Sequence, residues 1–222
     1  MTAQDYVDPE GPDTVDRYRE RYKRFARSPE SLGWRAGTQD ARFASFFAGF
    51  SIASPASVLD VGCGFGDLLA FLRARGWQGN YVGIDIVPEF IEEARVRFAD
   101  DAKAVFHCRE FKATADIVGL DAAFASGVLN HKRKNDHEGF VKHFLCEIAK
   151  CGGRYFAVDF LSTTADRRRE DLFFHDPAWI LSCGLIFSKR VQLDHSYMPY
   201  EFMLKIWRPD DYPADFPVFP SQ

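Results

Sequence analysis

The chain has 222 residues, of which 46% are hydrophobic and 27% are charged. This composition is typical of globular proteins and excludes disordered and fibrous classes, and the length fits one domain with an appended lid. The formal net charge of −4 argues against a dedicated nucleic-acid binder, because such proteins usually carry a basic surplus.

Two helices are predicted before the first strand. Apolar residues at helical spacing predict a helix over residues 14–28, capped by Asp13 or Thr14. Phenylalanines at the same spacing predict a second helix over residues 39–50, with Thr38 as its N-cap. We expect residues 1–50 to form an N-terminal helical lid and residues 51–222 to form the ligand-binding domain.

From residue 57 onward, short apolar runs alternate with amphipathic segments, a pattern typical of an α/β fold with a mostly parallel sheet. Strands are predicted over residues 57–61, 81–85, 104–108, 122–126 and 155–160, and helices over residues 67–75, 88–98 and 136–149. Gly152-Gly153 is expected to end the last of these helices. A helix over residues 176–183 and strands over 185–193 and 200–207 follow, and the strands predict an antiparallel hairpin before a proline-rich tail.

The most informative segment is a buried strand that leads into the glycine-rich turn Gly-Cys-Gly-Phe-Gly, residues 62–66. Glycines allow the backbone to approach a ligand closely, and ligands of open α/β sheets bind at the carboxyl ends of the strands. Asp85 ends the next predicted strand, where nucleotide-binding folds of this kind place an acid on ribose hydroxyls. A dinucleotide fingerprint would need glycine at position 67, where this chain has Asp67.

Asp60 followed by this glycine run resembles motif I of class I S-adenosylmethionine (SAM) methyltransferases. The resemblance covers residues 57–208 and implies a Rossmann-like sheet of seven strands, mostly parallel, with a C-terminal antiparallel hairpin. It also implies SAM as the cofactor. By position, it assigns cofactor contacts to Asp60, Gly62, Cys63, Gly64, Phe65, Gly66, Asp85, Ile86, Glu110, Phe111, Ser126 and Gly127.

Further residues resemble a narrower bacterial group and extend the expected site. Trp34, Gln39 and Arg42 are assigned to the cofactor, since an arginine can grip a carboxylate in bidentate fashion. The alternative for Arg42 is a solvated surface position, and for Trp34 a core position. The expected catalytic residues are Asn130, Tyr200, Asp159 and His175. Asn130 follows a predicted strand where active-site loops of this fold lie, although it has the alternative role of capping a turn.

The resemblance implies methyl transfer to a small-molecule nucleophile in bacterial secondary metabolism. Two alternatives stay open: cyclisation of SAM to azetidine-2-carboxylate with release of methylthioadenosine, and SAM binding without catalysis. The acceptor and the oligomeric state are left open. Nucleic-acid methylation is disfavoured, and His137, His143 and the cysteines lack the spacing of a metal site. Five cysteines without a C-x-x-C pair, a polar N-terminus and no long apolar run predict a cytoplasmic protein that does not span a membrane.

Overall fold

The computed structural model describes residues 11–34, 37–48, 51–53, 55–133 and 136–208, without the side chains of residues 11–13. The N-cap position of the first helix and the proline-rich tail lie outside this range. The helix begins at Gly11, so the predicted caps Asp13 and Thr14 fall inside its first turn. Thr38 holds the predicted N-cap position of the second helix, but its side chain makes no capping hydrogen bond.

The described residues form a seven-stranded sheet with helices on both faces. The strands are β1 (Ser57–Val61), β2 (Asn80–Asp85), β3 (Ala104–Cys108), β4 (Leu120–Ala125), β5 (Gly152–Leu161), β6 (Val191–Met198) and β7 (Glu201–Trp207). The helices are α1 (Gly11–Phe25), α2 (Gln39–Phe47), α3 (Asp67–Ala74), α4 (Pro88–Arg97), α5 (His137–Cys151) and α6 (Pro177–Gly184). Their alternation through β5 is that of the predicted α/β fold.

The strand order is β3-β2-β1-β4-β5-β7-β6. The first five strands pair in parallel, whereas β7 pairs antiparallel with both β5 and β6. This mixed sheet confirms the predicted fold class, including the C-terminal antiparallel hairpin.

Alternating side chains of the central strands supply two cores. Leu59 and Val61 of β1 face α5 and α6, whereas Val58 faces α2, α3 and α4. Such burial on both faces is typical of parallel sheets and explains why the strands read as continuous apolar runs. Phe43 and Phe46 of α2 belong to the second core, where the Phe46 ring lies 4.8 Å from that of Phe124 in β4.

The predicted bounds of β6 and of the junction between α5 and β5 are wrong. The apolar run that begins at Leu185 is a turn after α6, with Ile186 77% exposed, and β6 begins only at Val191. Main-chain hydrogen bonds back to α6 hold this run in the turn. Helix α5 extends to Cys151, and Gly152 already begins β5, where an added Cβ would lie only 2.5 Å from the Tyr155 carbonyl oxygen.

Helix α1 lies over the end of the sheet where β1 and β2 finish. Tyr22 donates a hydrogen bond to Glu93 of α4 at 2.6 Å, and Arg19 pairs with Glu89 at 2.8 Å. The aromatic ring of Tyr18 packs edge-on against Phe90. These contacts attach α1 to α4, and the division into a lid of residues 1–50 and a binding domain of residues 51–222 stays a prediction.

Candidate functional site

A cavity of about 280 Å³ opens at the carboxyl ends of β1, β2 and β4. Its walls come from the loops that follow these strands, from the segment after β3, and from α1 and the chain leading to α2. The predicted cofactor residues that line it are Asp60, Gly62, Cys63, Asp85, Ile86, Glu110, Phe111, Ser126, Gly127, Trp34, Gln39 and Arg42. Residues far apart in the sequence are thus brought to one place, as the fold rule requires.

The glycine loop after β1 is tightly enclosed. The amide of Gly62 donates to the Ile84 carbonyl oxygen at 2.7 Å, which fixes the loop against β2. An added Cβ at Gly62 would lie 2.6 Å from Val128, and one at Gly64 would lie 2.8 Å from Leu32. Both glycines also have positive φ, so the turn needs residues without side chains.

Phe65 and Gly66 support this loop from behind rather than line the cavity. The Phe65 ring is buried 4.7 Å from that of Phe90, and Gly66 caps α3 in a left-handed conformation. Gly64 also lies outside the lining, beneath Leu32. The three residues shape the loop, and their predicted contact with the cofactor stays a prediction.

Asp85 lies at the carboxyl end of β2 and connects the glycine loop to α4. Its Oδ2 accepts the Gly64 amide and its Oδ1 accepts the Val87 amide, both at 2.9 Å. Each carboxylate oxygen keeps a further lone pair for a ligand hydroxyl. Burial raises the pKa of Asp85, while the two backbone hydrogen bonds lower it. The arrangement suits an acid that binds two ribose hydroxyls.

Asp60 is a second acid of the cavity, buried at 6% exposure. The Tyr81 hydroxyl donates to its Oδ2 at 2.5 Å. Burial raises the pKa of Asp60 to about 7. The side chain therefore changes its protonation near neutral pH.

The side chains after β2 and β3 form one wall. Ile86 follows Asp85, and Phe111 packs against Phe144 of α5 with ring centroids 5.3 Å apart. Exposed Glu110 lies beside Phe111 on the same wall. These apolar surfaces with a nearby acid fit the predicted adenine end of a nucleoside.

Ser126 and Gly127, which we call the floor, follow β4. The Gly127 amide donates to Oδ1 of Asp159 at 2.8 Å, and the Ser126 hydroxyl donates to Oδ2. Trp34 covers the floor so closely that a Cβ at Gly127 would lie 2.5 Å from its indole. Asp159 is buried behind the floor, outside the cavity lining.

Arg42 has a different partner from the predicted one. Its Nε and Nη2 donate to the two carboxylate oxygens of Glu201 in β7 at 2.8 and 2.6 Å, and its Nη1 donates to Thr38 at 2.9 Å. The guanidinium also stacks 3.9 Å over Trp34. Gln39 donates to Asp67 at 3.3 Å. Arg42 therefore joins α2 to the sheet, because its bidentate face is taken up by Glu201.

The four predicted catalytic side chains lie outside the cavity lining. Asn130 is buried one residue before His131, and its Oδ1 has no hydrogen-bond partner among the described residues. His175 is buried with its Nε2 3.0 Å from that of His137. Tyr200 lies in the turn between β6 and β7. Their catalytic roles stay predictions.

A contact that sequence reasoning did not find bridges one side of the cavity. The Tyr18 hydroxyl of α1 and Nε2 of His131 lie 3.2 Å apart, and both side chains line the cavity. Burial raises the pKa of Tyr18 to about 12 and lowers that of His131 to about 4, so both are uncharged at neutral pH. The position of His131 after β4 was the available signal, but its partner lies 113 residues away.

The methyltransferase-domain family model matches residues 59–170. The chain is also 35% identical over 160 residues to Rv1506c of Mycobacterium tuberculosis, a protein named provisionally as a methyltransferase, and this match covers 69% of the chain and 94% of the relative. The chain belongs to the methyltransferase family. Methyltransferases of this class use SAM as the methyl donor, and SAM is the cofactor of this enzyme.

Solved structures show the same fold. DhpI in complex with S-adenosylhomocysteine (SAH) aligns with a TM-score of 0.64 at 15% identity, over 90% of this chain and 97% of that one. Magnesium protoporphyrin IX methyltransferase of Synechocystis PCC 6803 with bound SAM aligns with a TM-score of 0.61 at 16% identity, over 91% and 98% of the two chains. The methyltransferase fold is thereby confirmed.

The residues of the cavity fit SAM. Asp85 offers free acceptor positions beside the glycine loop, and the wall beside Ile86 is apolar. Within the described part of the methyltransferase, no cluster of three or more potential metal ligands occurs. Its described helices include none that is long and apolar enough to cross a membrane.

Proposed function

We propose that this enzyme transfers the methyl group of SAM to a small-molecule nucleophile in bacterial secondary metabolism. One observation carries the proposal: the protein's own chain covers part of the cavity. The Tyr18–His131 contact bridges it on one side, and Trp34 lies over Gly127 on the other. A partly covered cavity suits a small acceptor better than a nucleic-acid strand or a protein surface.

Bound SAM supplies an activated methyl group on a sulfonium, so the protein's main tasks are to align a nucleophile and to exclude water. Asp85 would hold the ribose, the floor would carry the methionyl end, and Ile86 and Phe111 would contact the adenine. Tyr18 and His131 form a neutral polar pair on the cavity wall, toward which an acceptor's nucleophile can be oriented by a hydrogen bond.

The test is product analysis by mass spectrometry. Incubation with SAM alone is expected to give no turnover, and addition of a set of small hydroxyl, amine and thiol compounds is expected to give SAH and a methylated product. The Asp85→Ala variant, which should bind SAM weakly, is the control for contaminating enzymes.

Three outcomes would contradict the proposal. Methylthioadenosine formed from SAM alone would indicate cyclisation of SAM. Tight SAM binding without turnover on any acceptor class would indicate an accessory protein. Methylated RNA as the product would show that the acceptor is a macromolecule.

A further inference from the structure

A buried cluster of charged side chains lies directly behind the floor. It contains Arg42 of α2, Asp159 of β5 and Glu201 of β7, each 2% exposed. Arg42 binds Glu201 through two hydrogen bonds, and its Nε lies 3.9 Å from Oδ2 of Asp159. One guanidinium therefore faces two carboxyl groups. Buried charges need compensation, so this imbalance has to be offset by a proton or by another cation.

The neighbouring groups do not supply that cation. Tyr197 of β6 faces the same cluster, and its hydroxyl is buried without a hydrogen-bond partner in the described part of the chain. The next ion pair, Asp194 with Lys205, is balanced at 2.8 Å. Burial raises the pKa of Asp159 and raises that of Glu201 to about 7, as expected for two buried acids that share one cation.

The excess carboxyl group is separated from the cavity by the floor and, beside Gly127, by the Trp34 indole. Asp159 accepts the Gly127 amide at 2.8 Å and the Ser126 hydroxyl, and both floor residues line the cavity. Gly127 has no side chain, and Trp34 covers the opposite side of it. A charge on Asp159 or Glu201 therefore acts on the cavity through a thin, low-dielectric wall, where charge interactions are strong.

The methionyl end of SAM carries a sulfonium, an ammonium and a carboxylate, so its net charge is +1, and methyl transfer removes the sulfonium charge. We propose that the excess carboxylate of the Arg42–Asp159–Glu201 cluster is the counter-charge for this positive end, so that the enzyme binds SAM in preference to SAH. The inference rests on the proposed function for the position of the methionyl group over the floor. Asp159, Glu201 and Arg42 are then positioning and electrostatic residues that act through Ser126 and Gly127.

The test uses three ligands that differ in charge. SAM has a net charge of +1, SAH has an ammonium and a carboxylate that cancel, and methylthioadenosine has no charged group. Glu201→Gln removes one carboxylate and conserves its shape. By calorimetry at pH 8, this variant is expected to bind SAM about tenfold more weakly, with SAH and methylthioadenosine nearly unchanged, because only SAM carries the unbalanced sulfonium charge.

Asp194→Asn is the matched control, because Asp194 is a buried, ion-paired acid of the adjacent strand that does not contact the floor. It is expected to lower stability without changing the ratio of SAM to SAH affinity. If Glu201→Gln fails to fold, Asp159→Asn takes its place, since its amide oxygen can keep the Gly127 hydrogen bond. This variant is then expected to show the same order of affinity losses for the three ligands.

An equal loss for all three ligands would show a packing effect and overturn the inference, as would the same order of affinity losses in Asp194→Asn. Both results leave SAM binding by the wild-type protein intact, so the proposed function would survive. Absence of SAM binding to the wild-type protein would overturn both the inference and the proposed function.

Discussion

Replacement of Gly127 by alanine would drive a methyl group into Trp34. The new Cβ would lie 2.5 Å from Cζ2 and 2.8 Å from Cη2 of the indole. Carbon atoms pack at about 3.5–4.0 Å, so the ring or the floor has to move by about 1 Å. Overpacking of this kind costs about 1–3 kcal/mol. The positive φ of Gly127 adds about 1–2 kcal/mol for a residue with a side chain, and the free energy of unfolding should fall by about 2–5 kcal/mol.

Gly119→Ala separates the two contributions. Gly119 has nearly the same φ, +79° against +73°, but no heavy atom lies within 4 Å of its added Cβ. It should lose only the backbone contribution, about 1–2 kcal/mol. Urea unfolding of both variants measures this difference, and calorimetry should show weaker SAM binding only for Gly127→Ala. In a Trp34→Ala background the extra cost of Gly127→Ala should disappear.

Equal destabilisation by the two glycine variants would refute this reasoning. It would show that Trp34 yields without cost and does not hold the floor. If Gly127→Ala displaced the indole but left SAM affinity unchanged, the floor would not be part of the cofactor site.

Three further predictions concern polar residues of the site. Asp85→Ala should weaken SAM binding by about 1.5–3 kcal/mol, the range for hydrogen bonds to a charged group, as measured by calorimetry. Asn130→Ala should lower turnover about tenfold, about 1.4 kcal/mol of barrier. Its Oδ1 has no hydrogen-bond partner to lose among the described residues, and normal turnover per folded molecule would show that Asn130 is not part of the active site. The raised pKa of Asp60, about 7, means that the folded state favours the protonated carboxyl. Stability should therefore fall as pH rises from about 4 to about 7, and urea unfolding across this range should show a shallower slope for Asp60→Asn.

The parallel half of the fold could be predicted because its signals are local. Each strand from β1 to β5 contains a short apolar run, and the glycine loop and Asp85 follow directly from their places at strand ends. The predicted start of β6 was wrong because the apolar residues after Gly184 lie in a turn and are partly exposed. Within β6 itself, the polar residues Gln192 and Asp194 alternate with other side chains, so the strand has no continuous apolar run. Pattern alone does not distinguish an exposed apolar turn from a buried strand.

Sequence reasoning found residues of the cavity lining whose place depends on one segment, and it missed side-chain contacts that join two distant segments. Arg42 was assigned to the cofactor because the sequence around a helical arginine does not indicate which acidic group it binds. Glu201 lies 159 residues away, and only the insertion of β7 beside β5 brings it to Arg42. The same distance in sequence concealed the contact between Tyr18 and His131.

The position of β7 has a consequence for synthesis of the chain on the ribosome. The strand made last among the described residues lies inside the sheet, between β5 and β6, so the β5 edge stays open until Trp207 has emerged. Synthesis proceeds from the N-terminus, and α2 is made long before Glu201 exists to accept the Arg42 charge. An open edge invites pairing with other chains. Nascent chains truncated before β7 should therefore aggregate, while chains that include it complete their sheet and bury Arg42 in the same step.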